Sequence, residues 1–217
     1  MSQLFHHSAN AIARFTLFGA IFIVAFLGWV GMQVAGSAWI TRQTQQRQQP
    51  VPFSHEHHVG GLGLDCRYCH NTIDTAGAAL PTSQTCMNCH SQIKTASPAL
   101  AVIRDSFQTG KAVPWVHVHV MPSFVYFDHS IHVNRGISCV ECHGKINEMD
   151  VVTQKKPMSM GFCLDCHRDP AAHVREKADI FNLDSPTIAA SKGIEAARQF
   201  VHDWNIKPPQ SCSGCHR

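Results

Sequence analysis

One motif repeated five times sets the terms for this chain. C-x-x-C-H occurs at Cys66-Cys69-His70, Cys86-Cys89-His90, Cys139-Cys142-His143, Cys163-Cys166-His167 and Cys212-Cys215-His216. Two thiols three residues apart, followed at once by His, form the attachment pattern of a c-type haem. The thiols become thioethers to the porphyrin and the His binds the iron from below. The chain has 10 Cys and the five motifs use all of them, so none is left for a disulfide. Half a zinc site or a redox dithiol also reads C-x-x-C. Neither requires His directly after the second Cys in every copy. The expectation is five covalently attached haem c groups. Cys66, Cys69, Cys86, Cys89, Cys139, Cys142, Cys163, Cys166, Cys212 and Cys215 hold the porphyrins, and His70, His90, His143, His167 and His216 are the proximal iron ligands.

That cofactor load changes how composition is read. The 217 residues are 44% hydrophobic and 15% charged, which excludes a disordered chain. With roughly 35 residues for each haem beyond the N-terminal segment, ligand bonds must replace much of an ordinary core. The formal charge of +3 is no nucleic-acid footprint. Five haems add ten propionates, which moves the balance to about −7. Of 16 His, the motifs take five and leave eleven for the other face of the irons.

From Phe15 to Val34 runs FTLFGAIFIVAFLGWVGMQV, twenty residues without a charge. That length crosses a bilayer as one helix, with Trp29 and Trp39 towards the far interface. A cleaved signal peptide is the rival reading, with Ala35-Gly36-Ser37 as its cleavage site, but its apolar run is usually about 7–15 residues. Charge bias is weak, with Arg14 before the span and Arg42 and Arg47 after it. Thioether chemistry on the exported side of a bacterial membrane places the C-terminal bulk outside and the N-terminus in the cytoplasm. Residues 41–52, TRQTQQRQQPVP, read as a flexible polar tether closed by prolines.

An internal repeat follows. Phe53-Ser54-His55-Glu56-His57-His58 precedes two haem motifs, and Phe127-Asp128-His129-Ser130-Ile131-His132 precedes two more at nearly the same offsets. Each unit reads F-x-H-x-x-H, C-x-x-C-H, a loop with Pro81 or Pro157, then C-x-x-C-H. Histidines three apart lie on one face of a helical turn, where each can reach a different haem plane. The repeat makes them ligand pairs rather than surface turns.

Between the units, Ser97-Pro98 predicts a helix ending near Gly110. Val113 to Phe127, VPWVHVHVMPSFVYF, alternates in part like a strand and puts His117 and His119 on one face. His119 is chosen as a distal ligand for a haem of the first unit. The alternative is that the pair serves haem propionates or solvent. Asp184-Ser185-Pro186 predicts a helix to about Asp203. His202 near its end serves either the fifth haem or the helix C-terminus as a cation. His173 reads as exposed, and Met158 and Met160 are further candidates to reach an iron. The fifth haem is expected near an accessible edge.

The F-x-H-x-x-H segments followed by C-x-x-C-H resemble the small multihaem cytochromes of the c3/c7 type. That resemblance implies His55, His58, His129 and His132 as distal ligands, with His55 and His129 serving the first haem of their own unit. It also implies a fold class: a mainly α and irregular multihaem cytochrome c. One N-terminal transmembrane helix would join a haem-packed domain with little regular secondary structure. The divisions are an anchor over 1–40, the tether 41–52, a c7-like dihaem unit over 53–96 and a linking helix and strand-like segment over 97–126. A second dihaem unit then covers 127–175, and a C-terminal helix with the fifth motif covers 176–217. The whole order resembles the membrane-anchored pentahaem cytochrome c subunit of alternative complex III, a bacterial quinol-oxidising complex.

That second resemblance implies an electron carrier that is no enzyme by itself, anchored in the bacterial inner membrane with its haems on the periplasmic side. The partners it implies are an iron–sulfur subunit, polytopic quinol-site subunits, a monohaem cytochrome c and a terminal oxidase. Two readings compete. A stand-alone anchored quinol dehydrogenase feeding periplasmic reductases also joins one helix to several haems. An enzyme acting on nitrite or hydroxylamine needs an open iron, often marked by Lys in place of the motif His, and all five motifs keep His.

Overall fold

The computed structural model describes residues 5–77 and 80–216, so the first four residues of the polar N-terminal stretch lie outside it. The chain divides into two compact units, Met1–Arg42 and Gln43–Arg217.

The first unit is one long helix, Ala9–Ala35, and a single turn, Ala38–Thr41. The long helix carries an uninterrupted apolar run, and none of its residues is buried. Thr16, near the start of the apolar run, returns its hydroxyl to the Ile12 and Ala13 carbonyls, so that polar group is satisfied within the helix. At 27 residues it rises about 40 Å, beyond the ~30 Å of a hydrocarbon core. By length and composition it is able to span a membrane.

The second unit consists of short helical turns joined by irregular chain. No sheet forms among its described residues; only two isolated bridges occur, Val125 with His216 and Ile137 with Val174. The apolar interior is thin. One cluster gathers Ala171, Val174, Ile188 and Ala197, with Phe200 and Val201 against it. Another joins Ile73, Val133 and Ile180. Such small clusters cannot hold a chain of this size alone, as the expected haem load requires.

The linking helix forms as a 3₁₀ turn, Pro98–Leu100, running into Ala101–Thr109 and ending at Gly110. The helix expected to open at Asp184-Ser185-Pro186 and run to about Asp203 is broken into Ile188–Lys192 and Ile194–Asp203. The break is Gly193, at φ 91°, a conformation L side chains avoid. The alternating stretch 113–127 makes no strand; its one backbone pairing is the bridge at Val125.

Residues 43–51 also differ from the flexible tether expected of them. Thr44 N donates to Gln154 O at 2.8 Å, and Gln43 Nε2 donates to Lys155 O at 3.1 Å. Arg47 Nη1 donates to His117 O at 3.1 Å. The Gln49 amide meets Val116 twice, donating to its carbonyl at 2.9 Å and accepting from its N–H at 3.0 Å. Val51 is buried. A glutamine amide can both donate and accept, so a Gln-rich strap can edge an irregular backbone that has no sheet partner.

Candidate functional site

Each C-x-x-C-H motif folds as a helical turn. The turns are Cys66–Cys69, Ser83–His90, Cys139–His143, Met160–Arg168 and Cys212–Cys215. The residues that cap them are Asp65, Thr82, Ser138, Ser159 and Ser211, all of the type that favours a helix start. Asp65 accepts from the Arg67 N–H and Ser159 from the Phe162 N–H. One turn brings thiols at positions i and i+3 to the same face, and His follows at its end.

The two F-x-H-x-x-H segments fold alike. In the first, Phe53 stacks on His58 with ring centres 4.4 Å apart and meets His55 edge-on at 4.9 Å. In the second, Phe127 stacks on His132 at 4.6 Å and meets His129 edge-on at 4.7 Å. The local backbone is a π-turn over Glu56–Gly61 in one and an α-turn over His129–Asn134 in the other. In both, one phenyl ring clasps two imidazoles and fixes their directions.

Those imidazoles face the motif histidines. Ring centres are 6.3 Å apart for His58 and His90, 6.2 Å for His132 and His167, and 6.4 Å for His129 and His143. Two iron–nitrogen bonds of about 2.0 Å, each continued by roughly 1.1 Å to a ring centre, span about 6.3 Å. The spacing therefore fits one iron between two imidazoles. His55 stands near His70 and His58, whose charges add to the burial that lowers its pKa to about 4.

The ring nitrogens away from these gaps point to the same tautomer. Nδ1–H donates to Ser54 O from His58 at 2.8 Å and to Asp128 O from His132 at 2.7 Å. It donates to Ile93 O from His90 at 3.3 Å and to Pro209 O from His167 at 2.7 Å. A carbonyl on Nδ1 leaves the Nε2 lone pair free for a metal. His143 differs: its Nδ1 lies 3.2 Å from His119 Nε2. His55 Nδ1 is buried without a partner.

The surroundings are apolar. Burial, then the charges of His119 and His129, lowers the His143 pKa to about 3. Burial raises the Cys142 thiol to about 12 and the Cys139 thiol to about 11. Neutral imidazoles and protonated thiols suit a porphyrin. Among the described residues no three His, Cys, Asp or Glu side chains converge as a metal-ion cage.

The remaining candidates scatter. His119 lies against His143 with ring centres 4.3 Å apart, too close for the pair to straddle an iron. The His117 carbonyl accepts from Arg47. His202 is 84% exposed in its side chain, beside Asp203 at a helix end. Met160 is exposed and Met158 half-buried. His216 lies near Phe124, with ring centres 5.6 Å apart. His173, expected in solvent, instead meets Glu141 at 3.2 Å, and Glu141 also pairs with the buried Arg175 at 2.6 Å. Sequence patterns missed that triad, because its members are 32 and 34 residues apart.

Comparison with known proteins covers both halves. Residues 34–113 match the class III cytochrome c family, and residues 125–217 match the family of cytochrome c7 and related cytochromes c. The chain is also similar to the multihaem cytochrome c subunit of menaquinone reductase from Nitratidesulfovibrio vulgaris. The two are 30% identical over 173 residues, which is 79% of this chain and 69% of that protein.

Proposed function

We propose a respiratory electron-relay function for this chain, which belongs to the multihaem cytochromes c of the c3/c7 type. Proteins of this kind carry covalent c-type haem and transfer electrons. The finer reading is a chain with five haems, anchored by its N-terminal helix in the bacterial inner membrane, with the haem domain on the periplasmic side. It acts as a subunit of a quinone- or quinol-linked complex, and the order of its segments resembles the pentahaem subunit of alternative complex III. The naming of its relative as a menaquinone reductase subunit supports a quinone-linked role. Its partners are then polytopic quinone-site subunits and an iron–sulfur subunit on one side, and a monohaem cytochrome c or terminal oxidase on the other.

The observation that carries this reading is the 6.2–6.4 Å opposition of distal and motif imidazoles. A bound haem supplies a site that takes up and releases one electron. The protein's part is to hold it. Each Cys pair would hold the ring through thioether bonds, and the motif His, with a distal His where one stands opposite, would hold the iron. We assign His58 with His90, His129 with His143, His132 with His167 and His55 with His70. Phe53 and Phe127 orient the distal rings, and the backbone carbonyls on Nδ1 hold the tautomer. At these four pairs both sides of a bound iron would be closed, which would leave no place for a substrate and let the ligands move little when the charge changes. Bis-His ligation also sets lower potentials than His/Met ligation.

The test is haem counting by intact mass on the denatured chain, together with the spin state of the oxidised chain. Five haems bound through ten thioethers are expected. Fewer haems, or a Cys pair left alkylatable, overturns the count.

A further inference from the structure

Contacts between the motifs, taken together, place the five sites in one order. Named by their first cysteines, the Cys66 and Cys86 sites share the π-turn that carries His55 and His58. Asn88, inside one motif, donates to the hydroxyl of Tyr68, inside the other, at 3.1 Å. The Cys139 and Cys163 sites share the turn that carries His129 and His132, whose rings face His143 and His167. The Cys163 and Cys212 sites meet through His167. Its Nδ1–H donates to Pro209 O, and its carbonyl accepts from Gln210 Nε2 at 3.1 Å.

The two repeat units join at the Cys66 and Cys139 sites. Glu56 N, in the π-turn, donates to Met149 O at 3.0 Å. A Cβ on Gly60 would lie 2.6 Å from Asn147 O, so only glycine allows that approach. Four residues after His70, the Asp74 carbonyl accepts from Asn134 Nδ2 at 2.7 Å, and Ile73 packs on Val133.

Exposure agrees with that order: of the ten cysteines, Cys89 and Cys212 are exposed and the other eight are partly covered.

We propose that the haem sites form a single unbranched file in the order Cys86, Cys66, Cys139, Cys163, Cys212, and that electrons enter and leave at its ends, beside Cys89 and Cys212. A one-electron redox protein docked at one end is oxidised, and another at the other end is reduced, with each electron passing through all five sites. The order differs from the order in the chain, in which the Cys66 site comes first. It rests on the reading of each motif as a haem site.

Two variants of the full haem-loaded chain test the order. His58→Met and His129→Met each exchange one distal ligand and keep every thioether. His/Met ligation raises the potential of the altered haem, and that change shifts the midpoints of the haems beside it. In a spectroelectrochemical titration, His58→Met is expected to move its own midpoint and one other. His129→Met is expected to move its own and two others. Two or more shifted neighbours for His58→Met, or a single one for His129→Met, overturns the file. If either substitution leaves every haem unchanged while all five remain attached, the ligand reading beneath it fails instead.

The ends have their own test. Asn88→Asp with Ser213→Asp places a carboxylate beside each exposed cysteine. Oxidation of the reduced chain by ferricyanide at low ionic strength should slow several-fold, with the difference vanishing in high salt. An unchanged rate at low salt overturns exchange at the ends.

Discussion

The imidazoles of His58 and His90 face each other with ring centres 6.3 Å apart, although 32 residues separate them in the chain. Phe53 lies flat on His58 and the Ser54 carbonyl accepts from its Nδ1. His132, opposite His167, repeats this with Phe127 and Asp128. The same device has been used twice, and each use sets a distal imidazole opposite a motif histidine.

Replacing His58 by Ala removes one side of such a gap and leaves Cys86 and Cys89 in place. One haem is expected to turn high spin and bind cyanide, while intact mass shows no haem lost. A low-spin spectrum identical to that of the unaltered chain contradicts its role.

Phe127 acts on two histidines at once. Its ring contacts are worth about 1 kcal/mol, so Phe127→Ala should loosen His129 and His132 without unseating a haem. Thermal melting followed in the Soret band should begin at lower temperature for a fraction of the haems, and Phe127→Leu should restore part of the loss.

Arg175 and Glu141 form a largely buried pair, with side chains 7% and 19% exposed. Glu141 sits between Cys139 and Cys142, so the pair ties a motif turn to the C-terminal cluster. Arg175→Ala strands a buried carboxylate and should cost about 3 kcal/mol, read as a lower denaturation midpoint. Arg175→Lys should recover little, because Arg175 Nε also donates to Ser185 O at 2.9 Å and an ammonium cannot reach both.

Acid should unfold the chain through its buried imidazoles. Burial lowers the His55 pKa from 6.5 to about 4 and the His143 pKa to about 3. Below pH 6.5 the unfolded chain therefore binds protons that the folded chain refuses, and stability falls with pH. The loss runs from pH 6.5 down to about 4 for His55 and to about 3 for His143, and above 6.5 neither contributes. Iron on Nε2 works in the same direction. Denaturant midpoints at pH 7, 5 and 4 should descend in that order; equal midpoints would show that these rings are not buried neutral.

What was legible in the sequence was local. A C-x-x-C-H is one helical turn and an F-x-H-x-x-H is another, so spacing alone fixes which side chains share a face. The apolar helix was legible for the same reason. The relations invisible beforehand join residues far apart in the chain: Gln49 with Val116, Glu141 with Arg175, His119 with His143. Alternation over 113–127 looked like a strand, but a strand is defined by its partner, and the chain supplies none there beyond the bridge to His216. The break at Gly193 was visible as a residue but not as a conformation, because glycine inside a helical pattern is often tolerated.

The central claim is that opposed imidazoles close both faces of the irons held at His70, His90, His143 and His167, so that these four sites relay electrons and transform no substrate. Low-temperature EPR of the oxidised, haem-loaded chain, before and after cyanide or nitric oxide, tests it directly. The account predicts low-spin signals from these four haems, with no change on adding either ligand. High-spin signal from more than one haem that shifts when ligand is added would mean an open iron at one of the four pairs, and would contradict the wire.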